Sequence, residues 1–300
     1  MSTVVAIGIS VLTAVISGSA GARTERPITA VATPTPHQIA MAAYARMSAR
    51  ERVGELFMAG LTSSGATATQ ISLLSGHDID DVILANDTTH SQHAVGRYTS
   101  KLTADLRVAG VAPFISTDQE GGEVQRLSGK GFSAMPTALR QGKLSTDALR
   151  AASRTWGTQL LGAGVDLDLA PVADTVPAKH ASANQPIGRF DREFGHTPKV
   201  VAPHVVAFVR GMNQAGVDTT VKHFPGLGRA SGNTDTMPGV TDPTTRHDPY
   251  LKPYRAGISA GTQMATILSW ISSSVGSSIS CTAPLPQEPL GSTHRLGRRS

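Results

Sequence analysis

Apolar residues recur along this chain in two alternating rhythms: short unbroken runs rich in β-branched residues, and longer stretches with an apolar position every three or four residues. The runs lie at the end of 47–61, at 81–86 (DVILAN), 111–117 (VAPFIST), 165–170 (VDLDLA), 217–221 and 263–270 (QMATILSW), and they read as six strands. Between them, 93–109 carries Val95, Tyr98, Leu102 and Leu106 at helical spacing, and 200–214 carries Val201, Val205, Phe208, Val209 and Met212. Helices are also expected at 145–161 and 251–260. Ser48 with Glu51 three residues on marks a helix N-terminus ahead of the first strand.

Strand and helix in strict alternation predict a parallel α/β fold, most naturally of the (β/α)8 TIM-barrel type, here truncated after about six strands because such a barrel closes with eight. Polar clusters follow the strands. Asp118-Gln119-Glu120-Gly121-Gly122 follows the third and Asp174 the fourth; the fifth ends in Lys222-His223 and opens into a loop with four glycines that runs to Asp242. Parallel α/β folds bind ligands at the carboxyl ends of their strands, so these clusters are the candidate site. A strand exit with solvated polar groups explains any one of them equally well.

Composition changes this picture at both ends of the chain. Residues 1–38 divide into an apolar segment at 4–16, a small-residue Ala20-Gly21-Ala22 cleavage pattern and a Pro/Thr-rich stretch, which together predict an exported protein with a linker before a domain at 39–270. The n-region holds no Lys or Arg, and the apolar segment is too short for a comfortable membrane span. A secreted or cell-envelope location is therefore expected, with no integral membrane span. After residue 270 the chain turns Ser- and Pro-rich without apolar periodicity, and 271–300 reads as a disordered tail. With 40 % hydrophobic residues, the 300-residue chain has enough apolar surface for a core. Aromatics make up only 4 %, so small and branched aliphatics must fill it. The net charge of +5 is scattered, which argues against a nucleic-acid partner. Cys281 is the only cysteine, so no intrachain disulfide or thiolate zinc site can form, and no His/Asp/Glu set has metal-ligand spacing. Neither metal nor cofactor is expected.

Five pieces in order, DQEGGEVQRL from Asp118, LDLAPVADT from Leu167, GRFDREFG from Gly188, VKHFPGLG from Val221 and AGTQM from Ala260, resemble glycoside hydrolase family 3. The resemblance covers roughly residues 46–270 and is to the β-N-acetylhexosaminidases that trim cell-wall muropeptides, including secreted actinobacterial members. It implies a carbohydrate partner containing N-acetylglucosamine. It also implies that Asp118, Arg126, Arg192, Lys222 and His223 bind the sugar. The chemistry suits that role, since a carboxylate accepts two hydroxyl hydrogens and a guanidinium donates in a planar fork.

Two departures from the family pattern stand out. Where the N-acetylglucosaminidase branch has Asp-Thr-His, with the His transferring the proton, this chain has Asn233-Thr234-Asp235. Asp235 is the candidate acid/base, but its usual acidity, pKa about 3.9, would have to weaken by burial for it to donate near neutrality. A loop-capping side chain fits Asp235 as well. The family's nucleophile is an Asp after the seventh strand, and no residue of this chain takes that place. Asp242 and Asp248, the only acidic residues between Asp235 and Trp270, both precede the sixth strand. A retaining β-N-acetylhexosaminidase that is weak or inactive as written is therefore expected. The alternatives are a non-catalytic sugar-binding relative and a β-glucosidase.

Overall fold

The computed structural model describes residues 33–230, 232–233, 237 and 240–267. The leader segment, Asp235, the last residues of the sixth expected strand and the tail lie outside them. Thr35 opens the first helix, α1 (Pro36–Arg46), by accepting from the backbone N–H of Gln38, whose side chain caps Thr35 in return. The helix thus starts inside the stretch that composition assigned to the linker, because Pro36 at the first helical position is pre-set for helix rather than against it.

Ser48 and Glu51 form the expected capping box of α2 (Ala49–Gly54), and β1 (Met58–Leu61) follows. Pattern analysis missed α3 (Ala68–Gly76) for a simple reason: Leu74 is its only buried residue, so it carries no apolar stripe. Then come β2 (Asp81–Leu84), α4 (Gln92–Asp105) with Val95, Thr99 and Leu102 inward, and β3 (Ile115–Thr117). A hairpin of β4 (Gln119–Gly121) and β5 (Val124–Gln125) was also not foreseen. It turns at Gly121 and Gly122, whose φ of 100° and 61° favour glycine. The chain continues through α5 (Ala138–Gln141), α6 (Thr146–Gly162), β6 (Leu167–Asp168), α7 (Pro198–Ala215), β7 (Asp218–Phe224), α8 (Lys252–Ala260) and β8 (Met264–Ile267).

Six strands pair in parallel in the order β1-β2-β3-β6-β7-β8, bar the hairpin the order of the chain itself. A doubly wound sheet reverses its order at a switch point; this one never does, and it curls as the wall of a barrel does. The expected barrel-type α/β fold with six strands is borne out. Leu84, Ile115, Val165 and Val221 contribute to the core beneath the helices, and Phe208 joins Trp156 and Phe194 in an aromatic cluster with centroids 6.4 and 6.2 Å apart.

Helices α6 and α7 approach closely at Gly211. A Cβ there would meet the Arg150 carbonyl and the Ser153 side chain of α6. Gly211→Ala gains about 1 kcal/mol of helix propensity. Overpacking against backbone typically costs about 1–3 kcal/mol, and the neighbouring carbonyl cannot move aside. The net effect expected is a lower urea midpoint at unchanged m-value; an unchanged or higher midpoint would show that the helices can separate without loss.

Candidate active site

Glu120 lies in β4, between Asp118 just past β3 and the turn at Gly121 and Gly122. There it meets Arg192 in a two-point pair, Nε to Oε2 at 2.8 Å and Nη2 to Oε1 at 2.7 Å. Lys222, on β7, places Nζ 2.6 Å from Glu120 Oε1 and 2.5 Å from Asp118 Oδ1. Burial alone would raise the Glu120 carboxyl, whose side chain is 2 % exposed, but Lys222 and Arg192 outweigh it and hold it down at about 2. For Lys222 the same contest runs in mirror image: desolvation disfavours the cation, Glu120 and Asp118 favour it, and its pKa ends above the ordinary lysine value. Asp168, at the end of β6, has lost that contest. Burial pushes its carboxyl well up, and although the Gln119 N–H bonds Oδ1 at 3.0 Å, the charges of Asp118 and Glu120 add to the rise.

A second set forms around Asp174, past β6. Its Oδ2 lies 2.7 Å from His223 Nδ1, and its Oδ1 accepts from Leu227 N at 2.6 Å and from the Tyr254 hydroxyl at 2.8 Å. On its other side, His223 Nε2 stands 3.4 Å from Arg192 Nη2, which joins the two sets. The Tyr254 ring, from α8, meets Phe224 edge-on at 5.6 Å.

Of these groups, Asp118, Arg192, Lys222 and His223 wall a pocket of about 430 Å³, a size that suits a small ligand. All five residues expected to bind sugar, Asp118, Arg126, Arg192, Lys222 and His223, line it. So do Glu123, Leu169 and Phe190, which sequence reasoning did not single out. Arg126 pairs with Asp87 across 2.6 Å at the protein surface. Of the residues missed, Glu120 sat inside the quoted DQEGG motif, where a charged residue beside two glycines was the available signal. Asp168 sat inside the quoted LDLAPVADT piece, where a carboxylate within an apolar run was the signal, and Tyr254 gave none. Asp242 and Asp248 do not line the pocket: Asp248 pairs with Arg229 at 2.6 Å, and Asp242 accepts from Thr244 N at 2.8 Å. Among the described residues, no three His, Cys, Asp or Glu side chains are grouped to hold a metal, and no helix is long and apolar enough to cross a membrane.

Comparison with known proteins places the chain in a family and agrees with the fold. Residues 48–278 match the model of the glycosyl hydrolase family 3 N terminal domain. The crystal structure of the β-N-acetylhexosaminidase from Beutenbergia cavernae superposes with a TM-score of 0.73 at 42 % identity, over 75 % of this chain and 68 % of that one. A beta-hexosaminidase of Stenotrophomonas maltophilia is 35 % identical over 218 residues, and beta-hexosaminidase LpqI of Mycobacterium tuberculosis is 30 % identical over 231. The alignments take in 69 % and 76 % of this chain but only 61 % and 56 % of those two relatives.

Proposed function

The chain belongs to glycoside hydrolase family 3, and on that premise we propose that it is a retaining β-N-acetylhexosaminidase acting on N-acetylglucosamine-containing cell-wall fragments. One observation carries the reading: Asp118, Arg126, Arg192, Lys222 and His223 converge on a single pocket at the strand ends. Asp118 takes hydroxyl hydrogens, Arg126, Arg192 and Lys222 donate to sugar oxygens, and Asp235 transfers the proton to the leaving group; the carboxylate that takes the glycosyl group in a retaining reaction is not among the described residues. The apolar segment at 4–16 and the small residues that follow support a place of action in the cell envelope or outside the cell.

A second reading, sugar binding without cleavage, is favoured by how three carboxylates at the site are used. Glu120 is tied to Arg192 and Lys222, Asp118 to Lys222 and Asp174 to His223, so none of the three is free to attack an anomeric carbon. Acid/base catalysis by Asp235 alone supplies about 10² to 10⁴-fold. The test is calorimetry with N-acetylglucosamine and glucose beside hydrolysis of their nitrophenyl β-glycosides. Preference for the N-acetyl sugar with weak turnover is the expected result. Binding with no turnover selects the second reading, and cleavage of the glucoside alone overturns both.

A further inference from the structure

The bonds around Asp174 determine which nitrogen of His223 carries a proton. Oδ1 receives the backbone N–H of Leu227 at 2.6 Å and the Tyr254 hydroxyl at 2.8 Å, and Oδ2 receives the backbone N–H of His223 at 3.2 Å. Three donors thus aim at a carboxylate that is buried in full, and the remaining neighbour, His223 Nδ1 at 2.7 Å, completes the roughly four lone-pair positions a carboxylate offers. The other side of the ring gives the same answer independently. Nε2 faces Arg192 Nη2 at 3.4 Å, and a guanidinium has donors only, so Nε2 must accept.

We infer that Asp174 is a positioning residue that locks His223 with its proton on Nδ1 and its bare Nε2 toward Arg192 as an acceptor. The single lone pair of Nε2 thereby steadies the Arg192 guanidinium, which with Lys222 offers donors to the oxygens of a sugar in the pocket. This last step rests on the sugar-binding reading; the tautomer does not.

Asp174→Asn makes the claim sharp. The shorter and stronger backbone donor, Leu227 N, claims the single amide oxygen at the Oδ1 position, which puts the amide nitrogen against His223 Nδ1. Two donors cannot face each other at 2.7 Å, so the imidazole proton moves to Nε2 and the longer Arg192 contact, 3.4 Å in the parent, opens.

The experiment is long-range ¹H–¹⁵N spectroscopy of the full chain labelled at histidine, with His223 assigned through His223→Gln. At pH 7.5 the parent protein should show a protonated Nδ1 and a bare Nε2; Asp174→Asn should show the reverse, with at least tenfold weaker N-acetylglucosamine binding. A proton on Nε2 in the parent, or on both nitrogens, overturns the inference even if the variant fails to fold. An unchanged tautomer in a folded variant overturns the role of Asp174. If the parent tautomer is as stated but no sugar binds, the functional reading fails and the tautomer stands.

Discussion

Lys222→Met is expected to lower the unfolding free energy by roughly 3 to 5 kcal/mol and to abolish sugar binding. The size follows from what the substitution leaves behind. Lys222 Nζ serves two carboxylates at once, Asp118 at 2.5 Å and Glu120 at 2.6 Å, in a place where both Lys222 and Glu120 are buried. Removing one partner of a buried ionic set strands the others, which is far costlier than the net worth of the pair itself. Glu120 would keep Arg192, but Asp118 would keep no cation within ion-pair distance among the described residues. Methionine preserves most of the volume, so lost packing contributes little. Urea unfolding of the parent, Lys222→Met, Asp118→Asn and the double variant measures the effect. The double variant should recover part of the loss, because the stranded charge is gone. A single-variant loss below about 1 kcal/mol would show that water compensates these charges and that the site is more open than the geometry implies.

The second large effect lies one residue from Arg192. Glu193 is fully buried, and among the described residues the basic group near its carboxylate is His196, whose Nδ1 is 3.6 Å away and already faces the Val176 carbonyl at 3.0 Å. Burial raises its pKa from 4.5 to about 7; its own backbone N–H and His196 oppose the rise, while Asp191 and Asp174 add to it. Between those two values the folded protein holds a proton that the unfolded chain has released, so stability falls as pH rises through the window. Each unit contributes about 1.4 kcal/mol, which gives a total near 3 kcal/mol, complete above pH 7 and absent below about 4.5. Glu193→Gln keeps the shape and removes the titration. The unfolding free energy of the variant minus that of the parent should therefore climb steadily from pH 5 to pH 7 and then level off. A difference that stays flat across this range would mean that Glu193 ionises freely and that its burial is not maintained in solution.

Glu120 works in the opposite direction. Its carboxyl is held at about 2, so its contribution to stability is present above pH 4.5 and is lost only in strong acid. The pair shows where sequence information ends. Both are glutamates in charged, glycine-flanked motifs, DQEGG and DREFG, and no local pattern separates them.

What the chain's linear pattern carried by itself was the identity and order of the main elements and the place of the site. Apolar spacing reports which face of a helix or strand is turned inward, and that was enough for β2, α4, α6 and α7. The Ser48–Glu51 cap is a bond over three residues and is equally legible. Polar clusters at strand ends located Asp118, Lys222 and His223 without any structure, because a parallel α/β fold brings all its strand ends to one rim. Short elements escaped: α3 buries too little to show a period, and the β4–β5 hairpin is too short to show an alternation. Only the tertiary structure decided the charge pairing. Asp118 and Lys222 are 104 positions apart, Glu120 and Arg192 are 72 apart, and periodicity encodes direction, not distance to a remote partner. Whether a buried carboxylate sits at about 2 or about 7 depends on whether cations stand within hydrogen-bonding reach, as they do for Glu120 and do not for Glu193. That is a property of the folded arrangement alone.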